Sequence, residues 1–210
     1  MPNSNGSFPS SASASINFIR MILPIVKYGS PVLRQKGATI EKVTPEITKL
    51  IADMFETMRE NHGVGLAAQQ IGRALQLTVI DVTGIEDRPS WAEVDGERID
   101  VEKLMPLVLL NPHVKAVGEP AKGSEGCLSF PEVFGEITRP ESVDVKAQDA
   151  KGKPIEFRCG GLLARAVQHE TDHLNGILFI DRMEKKTKTE VQAELDDLQA
   201  QTKEELKKSK

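Results

Sequence analysis

Apolar and polar positions along the chain switch between two rhythms. Over residues 44–61, Ile47, Leu50, Ile51, Met54, Phe55 and Met58 recur at helical spacing on one face. Thr44 suits the cap, Pro45 the first helical position and Glu46 the positive end of the dipole, while Gly63 lies just past the end. The Met-rich stripe reads as packing rather than a cofactor box. Short runs of β character follow at Leu75–Val82, Leu107–Leu110, Ser142–Gln148 and Lys153–Arg158. The last two are joined by Asp149-Ala150-Lys151-Gly152, a hairpin-like loop. Residues 84–103, polar and acidic around Trp91, read as a surface loop or insertion. Gly160-Gly161 then opens a second helix over Leu162–Asn175, stopped by Gly176.

A third helix over residues 187–208 carries a thin apolar stripe of Val191, Leu195, Leu198 and Leu206, so it should touch the body along one edge. Strands and helices do not alternate regularly. The expected class is therefore α+β, with antiparallel or mixed sheets and a C-terminal helix.

Composition narrows the function classes. The chain has 210 residues, enough for one sizeable core. No run approaches the roughly 20 apolar residues that span a bilayer. A net charge of -4 gives no basic footprint for DNA, although a local patch is compatible with it. Two cysteines, Cys127 and Cys159, are too few for a disulfide scaffold and suit a reducing compartment. Residues 1–20 are rich in Ser, Asn and Ala and read as a disordered extension. An organellar transit peptide shares that composition, but Arg20 is the only cation there. The expectation is a cytoplasmic protein, with an organellar one as the alternative. The main domain would span residues 21–183 and the charged tail 184–210.

The densest chemical signal is His169-Glu170-Thr171-Asp172-His173. Residues four apart on a helix share a face, so both imidazoles can grip one ion. Glu170 projects beside them, where it reaches water at the ion rather than the ion itself. These polar residues interrupt the rows begun by Leu162, Ala166, Leu163 and Val167, where unpaired burial would cost several kcal/mol. A third ligand must come from elsewhere. Phe179 stands where one zinc-hydrolase class would place a further ligand, no His follows His173, and His62 and His113 read as surface residues. The best candidate is Cys127, flanked by glycine in Gly123-Ser124-Glu125-Gly126-Cys127-Leu128-Ser129-Phe130-Pro131. Cys159 lacks such a setting and reads as a packed thiol. The segment Gly63-Val64-Gly65-Leu66-Ala67-Ala68-Gln69-Gln70 is too apolar for a phosphate loop, but its glycines allow close backbone approach and Gln70 offers an amide donor.

In this order and at these separations, GVGLAAQQ, EGCLSFP and QHETDH resemble the three motifs of the peptide deformylase family. The likeness runs over nearly all of residues 21–182. It implies an α+β fold wrapped about the helix that bears both histidines, and an enzyme that removes the formyl group from N-terminal formylmethionine. It further implies metal ligation by Cys127, His169 and His173, proton transfer by Glu170, and oxyanion binding by Gln70 and Leu128. Peptide contacts would fall on Val64, Gly65 and Gly126, and the methionine pocket on Leu162 and Ala166. Glu125 and Arg139 would brace the metal loop as an ion pair. The implied ion is ferrous iron, with zinc, nickel or cobalt able to substitute.

Three departures stand out: Arg165 on the pocket wall, the segment Glu132-Val133-Phe134-Gly135, and the length of 84–103. The helix motif alone would also suit a zinc endopeptidase, and a metal-stabilised binding module is a third reading. In the tail, Lys185, Lys186, Lys188, Lys203, Lys207, Lys208 and Lys210 raise the expectation of weak ribosome docking, against a merely solvated helix.

Overall fold

The computed structural model describes residues 21–208. The stretch 1–20, read above as an extension, and Lys210 lie outside the described residues.

Helix α1, Pro45–Glu60, starts where the pattern requires, and the Thr44 hydroxyl accepts from the Ile47 N–H at 3.4 Å. The strands are β1 (Gly65–Ala67), β2 (Leu77–Ile80), β3 (Ser90–Val94), β4 (Glu97–Ile99), β5 (Leu107–Cys127), β6 (Phe130–Gln148) and β7 (Pro154–Gly161). Helix α2, Leu162–Leu174, is followed by α3 (Lys185–Glu190) and α4 (Gln192–Lys208). The strands form one seven-stranded sheet in the order β1-β2-β5-β6-β7-β3-β4, with every neighbouring pair antiparallel.

The apolar run Leu107-Val108-Leu109-Leu110 shows why the sheet centre is continuous in hydrophobicity. Leu107 and Leu109 join the cluster under α2, with Val143, Val145, Phe157, Leu163 and Val167. Val108 and Leu110 face the opposite way, onto Ile51, Met54, Phe55 and Met58 of α1. Both faces of the strand are covered, so no polar alternation survives. Each such side chain contributes about 1.5–3 kcal/mol on burial. A third cluster joins Phe130, Ile137, Phe179 and Met183 to Leu33 and to Leu195 of α4.

Three expectations change. Residues 84–103 are not an irregular loop: they contain the β3–β4 hairpin, turning at Asp95-Gly96 with φ of 53° and 80°. Positive φ at both central residues makes this a tight type I′ turn, the geometry that Asp-Gly favours. Trp91 packs against Gly160, and Arg98 lays its guanidinium 3.7 Å from the Trp91 ring centre. The strands at 107–110 and 142–148 are also parts of much longer ones. Bulges at Leu110/His113, Val117/Pro120 and Gly126/Cys127 let β5 and β6 absorb prolines and glycines that would break a regular strand. Finally, the single C-terminal helix is two, interrupted at Val191, and Leu206 is 38% exposed rather than docked.

The hairpin end also fixes the start of α2. Gly161 adopts φ of +69°, and a Cβ there would collide with the Pro89 carbonyl oxygen. That carbonyl accepts from Leu162 N–H at 3.3 Å, and the Ser90 hydroxyl accepts from Leu163 N–H at 3.0 Å. Two of the helix's otherwise unpaired N–H groups are thereby satisfied from a neighbouring strand.

Candidate metal centre

Helix α2 stacks His169 and His173 one turn apart, with ring centres 5.1 Å from each other. Cys127 ends β5 and pairs in register with Phe130 across the two-residue turn Leu128-Ser129. That turn carries the sulfur to the helix, where Cys127 Sγ lies 3.3 Å from His173 Nε2. One ligand atom from each of Cys127, His169 and His173 falls within 4.8 Å of the other two. The Gln70 amide donates to Cys127 Sγ at 3.4 Å, and its carbonyl oxygen accepts from the Ala67 N–H at 2.8 Å. The second contact fixes which way the amide faces.

The donor set fits a divalent ion. Thiolate and imidazole suit zinc, ferrous iron, nickel or cobalt, and three protein ligands leave one position for chemistry. His173 is buried, and its Nδ1 has no hydrogen-bond partner among the described residues. Burial, with the charges of His169 and Arg139, holds its proton affinity well below the ordinary histidine range, so it stands neutral and ready to ligate. For His169, burial acts in the same direction, but hydrogen bonds to Cys127 and Glu125 outweigh it and raise the pKa. Its Nδ1 lies 3.0 Å from Glu125 Oε2, which orients the ring with its other nitrogen turned toward Cys127.

Glu170 is 4% exposed, and its Oε2 has no partner within the described residues. Burial pushes its carboxyl up to about 7, with His169 and Arg139 partly opposing. Gly65 lies directly against it: a Cβ there would stand 2.8 Å from Glu170 Cδ and 2.9 Å from Cγ. A cavity of about 500 Å³ opens above these groups. Val64, Gly65, Gln70, Glu125, Gly126, Cys127, Leu128, Leu162, Ala166, His169 and Glu170 all line it. The residues that the family likeness marked are thus brought together, with His173 beside Cys127 and Arg139 paired to Glu125. Residues 22–189 match the family model described as polypeptide deformylase.

The chain belongs to the polypeptide deformylase family.

A peptide deformylase of Opitutus terrae is 46% identical over 177 residues, which cover 83% of this chain and 92% of that one. One from Methylacidiphilum infernorum is 44% identical, covering 84% and 92%. Among solved structures, a plant peptide deformylase superposes with a TM-score of 0.75 at 34% identity, over 90% of this chain and 95% of that one. The Synechococcus elongatus deformylase, solved with actinonin, has a TM-score of 0.69 at 34% identity, over 94% of each chain. The activity is accordingly that of a metal-dependent hydrolase acting on N-formylmethionyl peptides. This reading is favoured over an endopeptidase or a binding module.

The deformylase fold also reveals a charge network that sequence reasoning saw only in part. Arg139 donates twice to Glu125, at 2.7 and 2.9 Å, and once to Asp172 at 2.7 Å. Arg182 continues the chain with bonds of 2.7 and 3.2 Å to Asp172. Burial pushes the Glu125 carboxyl up, but the hydrogen bonds from His169 and Arg139 hold it well below the usual carboxylate range. Arg165, which departs from the apolar pocket pattern, stays on the cavity wall and bonds Glu125 at 2.8 Å and the carbonyls of Ile137 and Ala121 at 3.0 and 2.9 Å. Asp172 sat inside the histidine motif unread, and nothing in the sequence paired Arg182 with it. Cys159 is fully buried, and burial raises its pKa to about 12, as a packed thiol requires.

Proposed function

We propose that Cys127, His169 and His173 hold the catalytic ion, that Glu170 moves the proton, and that Gln70 and the Leu128 N–H receive the oxyanion. The observation that carries this is the convergence of one sulfur and two imidazoles beside a buried, unpartnered carboxylate on the wall of a single cavity. A bound divalent ion supplies Lewis acidity, polarising the formyl carbonyl and lowering the pKa of water.

The chain's own groups do the rest. Leu162 and Ala166 form apolar wall for the methionine side chain, and the peptide lies extended against Val64, Gly65 and Gly126. Glu170, with a carboxyl near neutrality, accepts a proton from the attacking water and returns it to the departing methionine amine. The Gln70 amide, already aimed at the centre, donates to the oxygen of the tetrahedral intermediate together with the Leu128 N–H. Each such donor contributes about 3 kcal/mol. Glu125 and Arg139 brace the loop that presents Cys127.

The native ion is proposed to be ferrous iron, with zinc, nickel or cobalt substituting, in a bacterial cytoplasm. Residues 21–183 form the catalytic domain and 184–210 a charged tail for weak ribosome docking. Exposed Lys203, Lys207 and Lys208 on α4 support that tail role. Replacing these three by Glu should reduce ribosome co-sedimentation at low salt, and unchanged co-sedimentation would remove the docking idea. The site assignment is tested by metal content. Cys127→Ala should release or weaken the ion, Glu170→Gln should keep it while losing turnover, and Cys159→Ser should do neither. Metal loss in Cys159→Ser alone would overturn the choice of third ligand.

A further inference from the structure

We propose that Arg88, carried at the entrance to the β3–β4 hairpin, is a specificity-determining residue that reads the charge of the peptide residues following the formylated methionine. The inference rests on the deformylase reading above and assigns the cavity mouth a preference of its own.

Arg88 lines the same cavity as Leu162, Ala166 and Glu170, yet its side chain is exposed. No hydrogen bond or ion pair commits its guanidinium among the described residues. Its backbone, in contrast, is anchored. The next two residues supply the carbonyl and hydroxyl that accept from Leu162 and Leu163 at the start of α2. A long cation is therefore presented from a fixed base at the rim of the pocket that takes the first side chain. The other guanidinium on the cavity wall is already spent, since Arg165 bonds Glu125 and two carbonyls. Glu132, exposed at the start of β6, places one anion on the lining of the same cavity, with no ion pair to Arg88 among the described residues. The deep groups add little net field there, because Glu125 is neutralised by Arg139 and Arg165.

A peptide whose methionine fills the Leu162–Ala166 pocket must leave past this rim. An acidic side chain one or two residues later can meet a guanidinium with five free donors. The pair is solvent-exposed, so its effect is modest and screened by salt. It should act on binding rather than on the chemical step.

The test uses metal-replete enzyme and C-terminally amidated peptides, formyl-Met-Ala-Asp against formyl-Met-Ala-Asn and formyl-Met-Asp-Ala against formyl-Met-Asn-Ala. Within each protein, the Asp-to-Asn ratio of kcat/KM cancels any change in active fraction. In Arg88→Ala that ratio should fall about two- to fivefold at one of the two positions, through KM. Arg88→Glu should lower it further, and about 0.5 M salt should erase the difference between proteins. Equal ratios in wild type, Arg88→Ala and Arg88→Glu at both positions would overturn the proposal. Failure of the wild type on the Asn peptides would instead overturn the deformylase reading beneath it.

Discussion

Replacing Gly65 by alanine sets a methyl group against the carboxylate of Glu170. The added Cβ would stand 2.8 Å from Glu170 Cδ and 2.9 Å from Cγ, and closer still to Oε1. Carbon atoms prefer about 3.5–4.0 Å, so something must move by about 1 Å. Strand β1 cannot recede, because its own Leu66 and Ala67 are fully buried and paired to β2. The main chain of α2 is packed in turn against the sheet. The Glu170 side chain therefore takes the displacement. A misplacement of about 1 Å in a catalytic group can cost about a hundredfold in rate. Overpacking should also cost about 1–3 kcal/mol of stability. The assay is steady-state formate release with metal content measured on the same sample. The expected result is a kcat about a hundredfold lower with the ion retained. A kcat within about threefold of wild type, when Glu170→Gln in the same assay is inactive, would refute the claim that Glu170 acts from this one position.

Glu125→Gln should weaken metal binding about 10- to 100-fold, because His169 loses the carboxylate that orients it; unchanged affinity in a chelator competition would contradict this. After chelation, a neutral-pH thiol reagent should label Cys127 and spare Cys159, whose thiol is fully buried and shifted to about 12; equal labelling would show that the sheet opens. Asp181 bonds Arg34 and the Leu178 N–H, and despite partial desolvation, which raises it, these hold its carboxyl below the ordinary value. A depressed folded pKa stabilises above the unfolded value and is lost in acid. The stability gap between wild type and Asp181→Asn should thus be constant above about pH 5 and shrink below about pH 4, and a gap that widens in acid would contradict the assignment. Leu195→Ala should cost about 2–5 kcal/mol by emptying the contact between α4 and Phe130, Ile137 and Phe179, whereas Leu206→Ala should leave the melting temperature nearly unchanged.

The parts legible from sequence are those where one local signal decides. Thr44-Pro45 and the Ile47-to-Met58 stripe mark α1, and Gly161 and Gly176 bracket α2. The proposed site residues stand out in the sequence because the motifs bunch chemistry on a helix and beside glycines. The long arms of β5 and β6 were not. Between Asn111 and Cys127 most side chains are exposed, and Pro112, Gly118 and Pro120 read locally as breakers until bulges absorb them. The β3–β4 hairpin was hidden by its acidity, although Asp95-Gly96 was an available turn signal. The chain Glu125–Arg139–Asp172–Arg182, buried except at Arg182, joins residues up to 57 positions apart, a pairing that only tertiary contact creates.

The central claim is that this chain hydrolyses the formyl amide of N-formylmethionyl peptides through Glu170 beside a Cys127/His169/His173 ion. The most direct test is formate release from a formyl-Met tripeptide by anaerobically prepared, metal-replete protein, with Glu170→Gln alongside. Rapid release by the wild type and almost none by a Glu170→Gln protein that still holds its metal is the predicted result. No release from metal-bound wild type, or equal release from both proteins, would contradict the account.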